Sequence, residues 1–221
     1  MCNQWCLQFA RSTLGHLPEA SRVLEVGSRN VNGTVRDLIE PVASWYIGVD
    51  IVPGPGVDQI LNVLDLERRF APGSFDLVVT TEMIEHCGDW KRAMVQMVQT
   101  TRCGGLLMIT TRSPGFALHG YPQDHWRFTN RDMGRILGPV GDLLLLEDDM
   151  TLDWPCGVGA LVRKTARADQ LRHWQEQLDD LEVYRVDPAR DREDVHRRPV
   201  AGQHDPNTME QTDHPPAGRL S

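Results

Sequence analysis

The stretch Arg22-Val23-Leu24-Glu25-Val26-Gly27-Ser28-Arg29-Asn30-Val31-Asn32-Gly33 decides the fold. Its first five residues form a short, largely apolar run rich in β-branched side chains, as a buried strand does, and the run stops at a glycine. Glycines at 27 and 33 let ligand and backbone approach closely, and a helix beginning after them offers free amides. Asn32 is placed to cap that helix, Val35, Leu38 and Ile39 share one face of it, and Pro41 ends it. Strand, glycine loop and helix in this order form the first unit of an α/β sheet, whose ligands bind beyond the carboxyl ends of the strands.

Outward from this unit the alternation continues from about residue 20 to 165, which is how a parallel sheet with crossover helices reads. Trp45-Tyr46-Ile47-Gly48-Val49-Asp50 is a strand ending in an acid, and Gln59-Ile60-Leu61-Asn62 is a weaker one. Phe75-Asp76-Leu77-Val78-Val79-Thr80 is clearer. Asp89 then caps a predicted helix with Trp90, Met94, Met97, Val98 and Thr101 at helical spacing, closed by Gly104-Gly105. Leu106-Leu107-Met108-Ile109-Thr110 is a buried strand, and Thr129-Asn130-Arg131-Asp132 is a capping-box-like helix start. Two final strands, Leu143–Glu147 and Gly157–Arg163, lie too close for a helical crossover and should pair antiparallel at the sheet edge.

The organisation expected is a helical segment over 1–19, a central domain over 20–165, an amphipathic helix within 166–186 and a tail over 187–221. Leu171, Trp174, Leu178 and Leu181 stripe the late helix. From Asp187 onward the chain is rich in Asp, Arg, Pro and His with scarcely a large apolar residue, a disordered composition.

The 221 residues with 40% hydrophobic content suffice for one domain with a proper core. No stretch approaches the roughly 20 apolar residues of a membrane helix, and the N-terminus lacks a secretory pattern. Five dispersed cysteines without a C-x-x-C pair fit reduced thiols in a cytoplasmic setting. Near Cys2 and Cys6 no further cysteine or histidine completes a ligand set, so no metal is expected. The net charge of −8 disfavours a non-specific grip on nucleic acid. Oligomeric state stays open.

Which nucleoside the first loop binds is an electrostatic question. The loop is not G-x-G-x-x-G, and a pyrophosphate wants positive potential where Glu25 stands. S-adenosylmethionine carries a sulfonium and an ammonium, so an acid at the end of the first strand is favourable. Glu82, past the fourth strand, adds a second acid on the same sheet edge, and Asp50 is placed to accept from ribose hydroxyls.

The order of Glu25-x-Gly27, Asp50, Phe75-Asp76-Leu77-Val78-Val79, Glu82-Met83-Ile84-Glu85-His86 and Gly104-Gly105 resembles class I S-adenosylmethionine-dependent methyltransferases over roughly residues 20 to 165. The resemblance is nearest to small, stand-alone bacterial or viral members. It implies a Rossmann-like three-layer αβα sandwich whose mostly parallel, seven-stranded sheet has its last strand antiparallel. Carried over by position, Glu25, Gly27, Ser28 and Gly33 would surround the methionine part of the cofactor. Asp50 and Ile51 would meet the ribose, Asn62 and Val63 would flank the adenine, and Thr81 and Glu82 would close the pocket. Two positions depart from the family pattern: Arg29 stands where a second glycine is usual, and Asn62 where an aspartate is commoner.

The acceptor pocket is expected in the long segment Arg112–Phe128, since ordered loops of this length in a compact domain are usually functional. His119, Asp124 and His125 are the candidate general bases or substrate clamps, His119 first, with Tyr121, Trp126 and Arg127 as shaping residues. The opposing reading has Trp126, Arg127 and Phe128 merely stapling the loop to the next helix. His86, as a lone histidine, reads as structural sooner than catalytic. After the fourth strand the chain reads Thr80-Thr81-Glu82-Met83, not the [Asp/Asn]-Pro-Pro-[Tyr/Phe] of enzymes that methylate exocyclic base nitrogens. A small molecule or a sugar- or lipid-linked intermediate with a hydroxyl or similar nucleophile is the acceptor class expected. A non-catalytic cofactor-binding or scaffold protein and an NAD(P)-dependent oxidoreductase remain as alternatives.

Overall fold

The computed structural model describes residues 3–19, 21–120, 123–189 and 191. Helix α1 (Gln4–Thr13) is capped by the Asn3 side chain, which accepts from Cys6 N at 2.8 Å. Strand β1 (Ser21–Val26) is followed by a single turn of helix, α2 (Arg36–Ile39), and a 3-10 turn over Glu40–Val42. Then come β2 (Ala43–Asp50), the two-residue β3 (Gln59–Ile60), a 3-10 segment over Val63–Arg68, and β4 (Phe75–Thr81). A 3-10 turn over Ile84–His86 leads to α3 (Trp90–Thr100) and β5 (Thr101–Arg112). The remainder is β6 (Trp126–Arg127), α4 (Asn130–Leu137), β7 (Gly141–Asp149), β8 (Gly157–Lys164), α5 (Ala168–Asp179) and β9 (Tyr184–Arg185).

Seven strands form one sheet in the order β3-β2-β1-β4-β5-β8-β7, and β6 pairs with β9 in a small antiparallel ribbon. The strands β3, β2, β1, β4 and β5 run parallel. The hairpin β7–β8 ends the sheet, with β8 inserted antiparallel between β5 and β7. This is the Rossmann-like sandwich expected. Strand order reverses at β1, where the chain leaves toward β2 on one side and β4 on the other, so the crevice there is the natural ligand position.

Alternate residues of the buried strands feed two apolar layers. Leu24, Val26, Val78 and Leu107 meet α3, α4 and α5 through Met94, Met97, Ile136 and Trp174. Val23, Val79, Leu106 and Met108 meet α1 and α2 through Phe9, Ala10, Val35 and Ile39. Helix α1 lies so close to β8 that a Cβ at Gly159 would stand 2.9 Å from the rings of Phe9 and Trp5. The amphipathic stripe of α5 docks as expected: Trp174 and Leu178 are buried, and Trp174 Nε1 donates to Ile136 O at 2.7 Å. Both caps foreseen in the sequence form, Asp89 accepting from Arg92 N at 3.1 Å and Thr129 exchanging bonds with Asp132.

Two boundaries differ from the sequence reading. The helix after the first loop does not start at Asn32, because Asn30 Oδ1 takes Gly33 N (3.0 Å) and Thr34 Oγ1 takes Arg36 N (3.0 Å), which holds residues 30–35 as loop. Gly104-Gly105 does not close α3. That helix ends at Thr100, where Lys164 Nζ donates to Val98 O (2.7 Å) in its last turn and to Thr101 O (2.6 Å) at its cap. The two glycines lie within β5, at a slip in its pairing with β4. Beyond residue 191 the expected disordered tail lies outside the described residues. No helix among the described residues is long and apolar enough to cross a membrane.

Candidate active site

At the reversal point the first loop folds over the end of β2. Gly27 N and Ser28 N both donate to Val49 O, at 2.9 and 3.0 Å. Gly27 has φ +78°, and a Cβ there would stand 2.7 Å from Met83 Cγ, so glycine alone fits. Asp50, at the tip of β2, accepts from Arg29 N (3.1 Å) and Val52 N (3.2 Å), which fixes its carboxylate at the loop's edge. Between these groups lies a cavity of about 600 Å³, within the range of small-ligand sites. One wall is apolar, from Ile51, Leu61, Val63, Leu64 and Met83. The charged and polar side chains that line it are Arg29, Asp50, Asn62, Glu82 and His86.

Of the residues expected to bind a nucleoside, Gly27, Asp50, Ile51, Asn62, Val63 and Glu82 line this cavity. The structure does not bring Glu25, Ser28, Gly33 or Thr81 to its wall. Glu25 lies on the opposite face of the sheet from its neighbours Leu24 and Val26, which pack into the apolar layer with α3, α4 and α5. It is 3% exposed and accepts from Tyr46 Oη at 2.8 Å. Burial lifts its carboxyl to about 7, against the opposing pulls of that hydrogen bond and of Arg36. Arg36 lies 4.9 Å from the centroid of the Tyr46 ring and donates to Glu40 (2.9 Å), Asp58 (2.9 Å) and Gly56 O (3.1 Å). Asp58 in turn accepts from Gly48 N at 2.7 Å. This network, absent from the sequence reading, ties the first loop to the segment after β2. Asn62 also caps the following 3-10 turn, accepting from Leu64 N at 3.0 Å.

Glu82 is the one non-glycine residue with positive φ (51°) among the described residues, in the sparsely populated region where functional sites concentrate strain. Its buried carboxylate accepts from Cys6 Sγ (3.5 Å) and forms an ion pair with Arg112. Burial, with Cys6 and Glu85 close by, lifts the Glu82 carboxyl well above the usual carboxylate range, and Arg112 opposes this only in part. Arg112 also reaches Asp149 at 3.3 Å and sits 4.0 Å from the ring centroid of Phe116. Helix α1 and the hairpin thus brace the floor of the cavity.

The long loop supplies the third part. His119 Nδ1 stands 3.2 Å from Asp124 Oδ2, and His119 N donates to the same oxygen at 2.9 Å. Asp124 is also held by Arg127, whose Nη2 donates to it at 2.7 Å while the guanidinium reaches the carbonyls of Phe116 and Ala117. On the other side of His119, its Nε2 lies 3.8 Å from Glu85 Oε1. Glu85 is fully buried and accepts from Thr111 Oγ1 at 2.8 Å. Burial opposes charge on both partners, yet His119 is raised to about 9 by Asp124 and Glu85, and Glu85 is held at about 2 by His119 and His86. His86 packs edge-on against His119, ring centroids 4.9 Å apart, and its Nδ1 meets Gln123 O at 2.6 Å.

The loop residues therefore divide. His119 and Asp124 form one cluster, but Asp124 is engaged by Arg127 and His119. His125 uses its backbone to bond Glu85 O (2.9 Å) and Val186 N (2.8 Å), and its Nε2 is on the side of Gly88. Trp126 donates from Nε1 to Cys87 O at 2.9 Å, and Phe128 is buried edge-on against Trp90. With Arg127, these side chains staple the loop. Tyr121 lies outside the described residues. The sequence reading missed Glu85 as a participant, and it set His86 aside for want of a visible partner.

A family model described as a methyltransferase domain matches residues 4–191. No curated relative matches the chain. Among solved structures the chain is similar to the 1,6-didemethyltoxoflavin N1-methyltransferase of Burkholderia thailandensis, solved with 1,6-didemethyltoxoflavin and S-adenosylhomocysteine (TM-score 0.59, 14% identity, 72% of this chain and 78% of that one). It is also similar to an S-adenosylmethionine-dependent methyltransferase of Mesorhizobium loti (0.54, 17%, 69% and 96%). A third is the N-methyltransferase NodS of Bradyrhizobium japonicum, in complex with S-adenosylhomocysteine (0.50, 18%, 72% and 85%). The chain belongs to the methyltransferase-domain family, in the class I S-adenosylmethionine-dependent group.

Proposed function

We propose that the cavity at the ends of β1, β2 and β4 holds S-adenosylmethionine and that its methyl group passes to a hydroxyl or similar nucleophile on a small molecule or a sugar- or lipid-linked intermediate. The observation that carries this reading is the cavity's polarity. Asp50 stands at one rim to meet ribose hydroxyls, apolar residues between Ile51 and Leu64 suit the adenine face, and Glu82 closes the end where a cationic donor would sit. Direct displacement at a sulfonium gains most of its acceleration from alignment, which a closed, braced cavity provides. The loop carrying His119, Asp124 and His125 borders the His86 end, so the acceptor enters there.

Titration calorimetry with S-adenosylhomocysteine tests the site. The wild type should bind, and Asp50→Ala should lose about tenfold or more in affinity, the worth of a hydrogen bond to a charged group. Equal affinity in both would end the assignment. Labelled donor incubated with fractionated extract of the source organism then separates an enzyme from a non-catalytic binder. Label in a low-molecular-weight or lipid fraction supports the acceptor class, and label in nucleic acid or protein refutes it.

A further inference from the structure

We propose that Glu85, His86 and His119 form a binding site for a divalent transition-metal ion at the acceptor end of the cavity. These are the residues that the cofactor reading leaves without work. One carboxylate oxygen of Glu85 and one ring nitrogen from each histidine lie within 4.8 Å of one another, close enough for small side-chain rotations to bring them onto a shared ion. Each is already oriented by a partner on its far side. Glu85 Oε2 accepts from Thr111 Oγ1 at 2.8 Å. His86 Nδ1 faces a carbonyl, Gln123 O at 2.6 Å, and so must be the protonated nitrogen, which leaves Nε2 with its lone pair. His119 Nδ1 faces the Asp124 carboxylate at 3.2 Å and is fixed in the same way. Histidine ligands of metals almost always carry such a carbonyl or carboxylate behind them, because it sets the tautomer and aims the ring.

A second observation points to a ligand. Glu85 Oε1 is fully buried and makes no hydrogen bond, facing His119 Nε2 across a long 3.8 Å ion-pair distance. A buried carboxylate oxygen without a hydrogen bond is costly, and an ion shared with the two nearby imidazole nitrogens would match it more closely than the 3.8 Å contact does. Two imidazoles and one carboxylate suit Mn²⁺, Co²⁺ or Zn²⁺ better than Mg²⁺ or Ca²⁺, which prefer oxygen. Three protein ligands leave coordination positions open. His86 lines the cavity, so the proposed site borders it.

This deepens the proposed function, on which only the role of the ion rests. A hydroxyl of the acceptor bound to the ion loses its proton to solvent more readily. Its oxygen then forms the bond to the methyl carbon while the carbon–sulfur pair stays on sulfur as the thioether.

The test is titration of full-length, untagged, chelator-treated protein with Co²⁺, read by visible d–d absorption. One saturable ion per chain is expected. Glu85→Gln, which keeps the Thr111 bond, and His119→Asn should each weaken binding by at least tenfold. Asp124→Asn should weaken it about tenfold, as outer partners of metal ligands do. Asp50→Ala should keep Co²⁺ while losing S-adenosylhomocysteine, so failure of the metal site and failure of the cofactor site are separable. No saturable binding by the wild type overturns the proposal. So does Co²⁺ affinity unchanged in His119→Asn, a variant at a partly exposed position whose fold is checked by its melting curve.

Discussion

Glu25→Gln isolates a single buried carboxyl whose titration should be visible in the stability of the whole protein. Glutamine keeps the shape and an oxygen to accept from Tyr46 Oη, the 2.8 Å bond seen for Glu25. In the unfolded chain Glu25 titrates near the ordinary 4.5, whereas in the fold burial lifts it to about 7. The folded state therefore holds the proton more tightly. Its advantage is complete below pH 4.5 and drains away as pH rises to about 7, since the folded protein must then bury a charge. At about 1.4 kcal/mol per pH unit this comes to about 3 kcal/mol. The variant lacks this loss, so its stability relative to wild type should rise by about 3 kcal/mol between pH 4.5 and pH 8, the two profiles running level outside that window. Urea unfolding followed by tryptophan fluorescence reads the difference as a midpoint shift of about 1 M at the upper end. Other groups titrate in both proteins and cancel in the comparison. Parallel profiles would show that Glu25 is charged throughout or solvated in the fold, and the argument from burial would fail.

Gly27→Ala forces a side chain into positive φ and against Met83, costing about 1–2 kcal/mol from the backbone alone. It should also abolish S-adenosylhomocysteine binding in calorimetry, with Met83→Ala restoring part of the stability but not the left-handed backbone. Trp174→Ala removes a fully buried ring that anchors α5 and should lower stability by about 3–5 kcal/mol in urea unfolding. Arg127→Ala strands the buried Asp124 carboxylate and should cost about 3–5 kcal/mol, more than replacing Asp124 and Arg127 together by apolar residues.

The fold was legible because its signals are local. β1, β2 and β4 are apolar runs of the right length, the capping sites at Asp89 and Thr129 stand beside their partners in sequence, and the short β7–β8 link excludes a crossover helix. The two boundary errors share one cause. Helix starts and stops were read from single residues, but the backbone at Asn30–Thr34 is claimed by side chains within the loop, and the end of α3 is fixed by Lys164, distant in sequence.

The site was legible only where the sheet edge dictated it. Residues at strand tips reach the cavity because every parallel strand delivers its carboxyl end there, which is why Gly27, Asp50 and Glu82 line it. Glu25 shows the limit of that logic. It occupies the right strand end, but side chains alternate across a sheet, and the position beside Val26 faces the α1–α2 layer instead. An acid there still shapes the first loop, through Tyr46 and Arg36, from behind the cavity wall. Glu85 is the reverse case. Sequence offers only an acid three residues past Glu82, yet the 3-10 turn at Ile84–His86 rotates it inward beneath the long loop, where Thr111 and His119 meet it. Its partners lie on β5 and on a loop with no periodicity, so no pattern in the chain announces the meeting. What unites His86, His119 and Glu85 is the stapling of that loop by Arg127, Trp126 and Phe128. The residues that read as mere packing are the ones that bring these three side chains together.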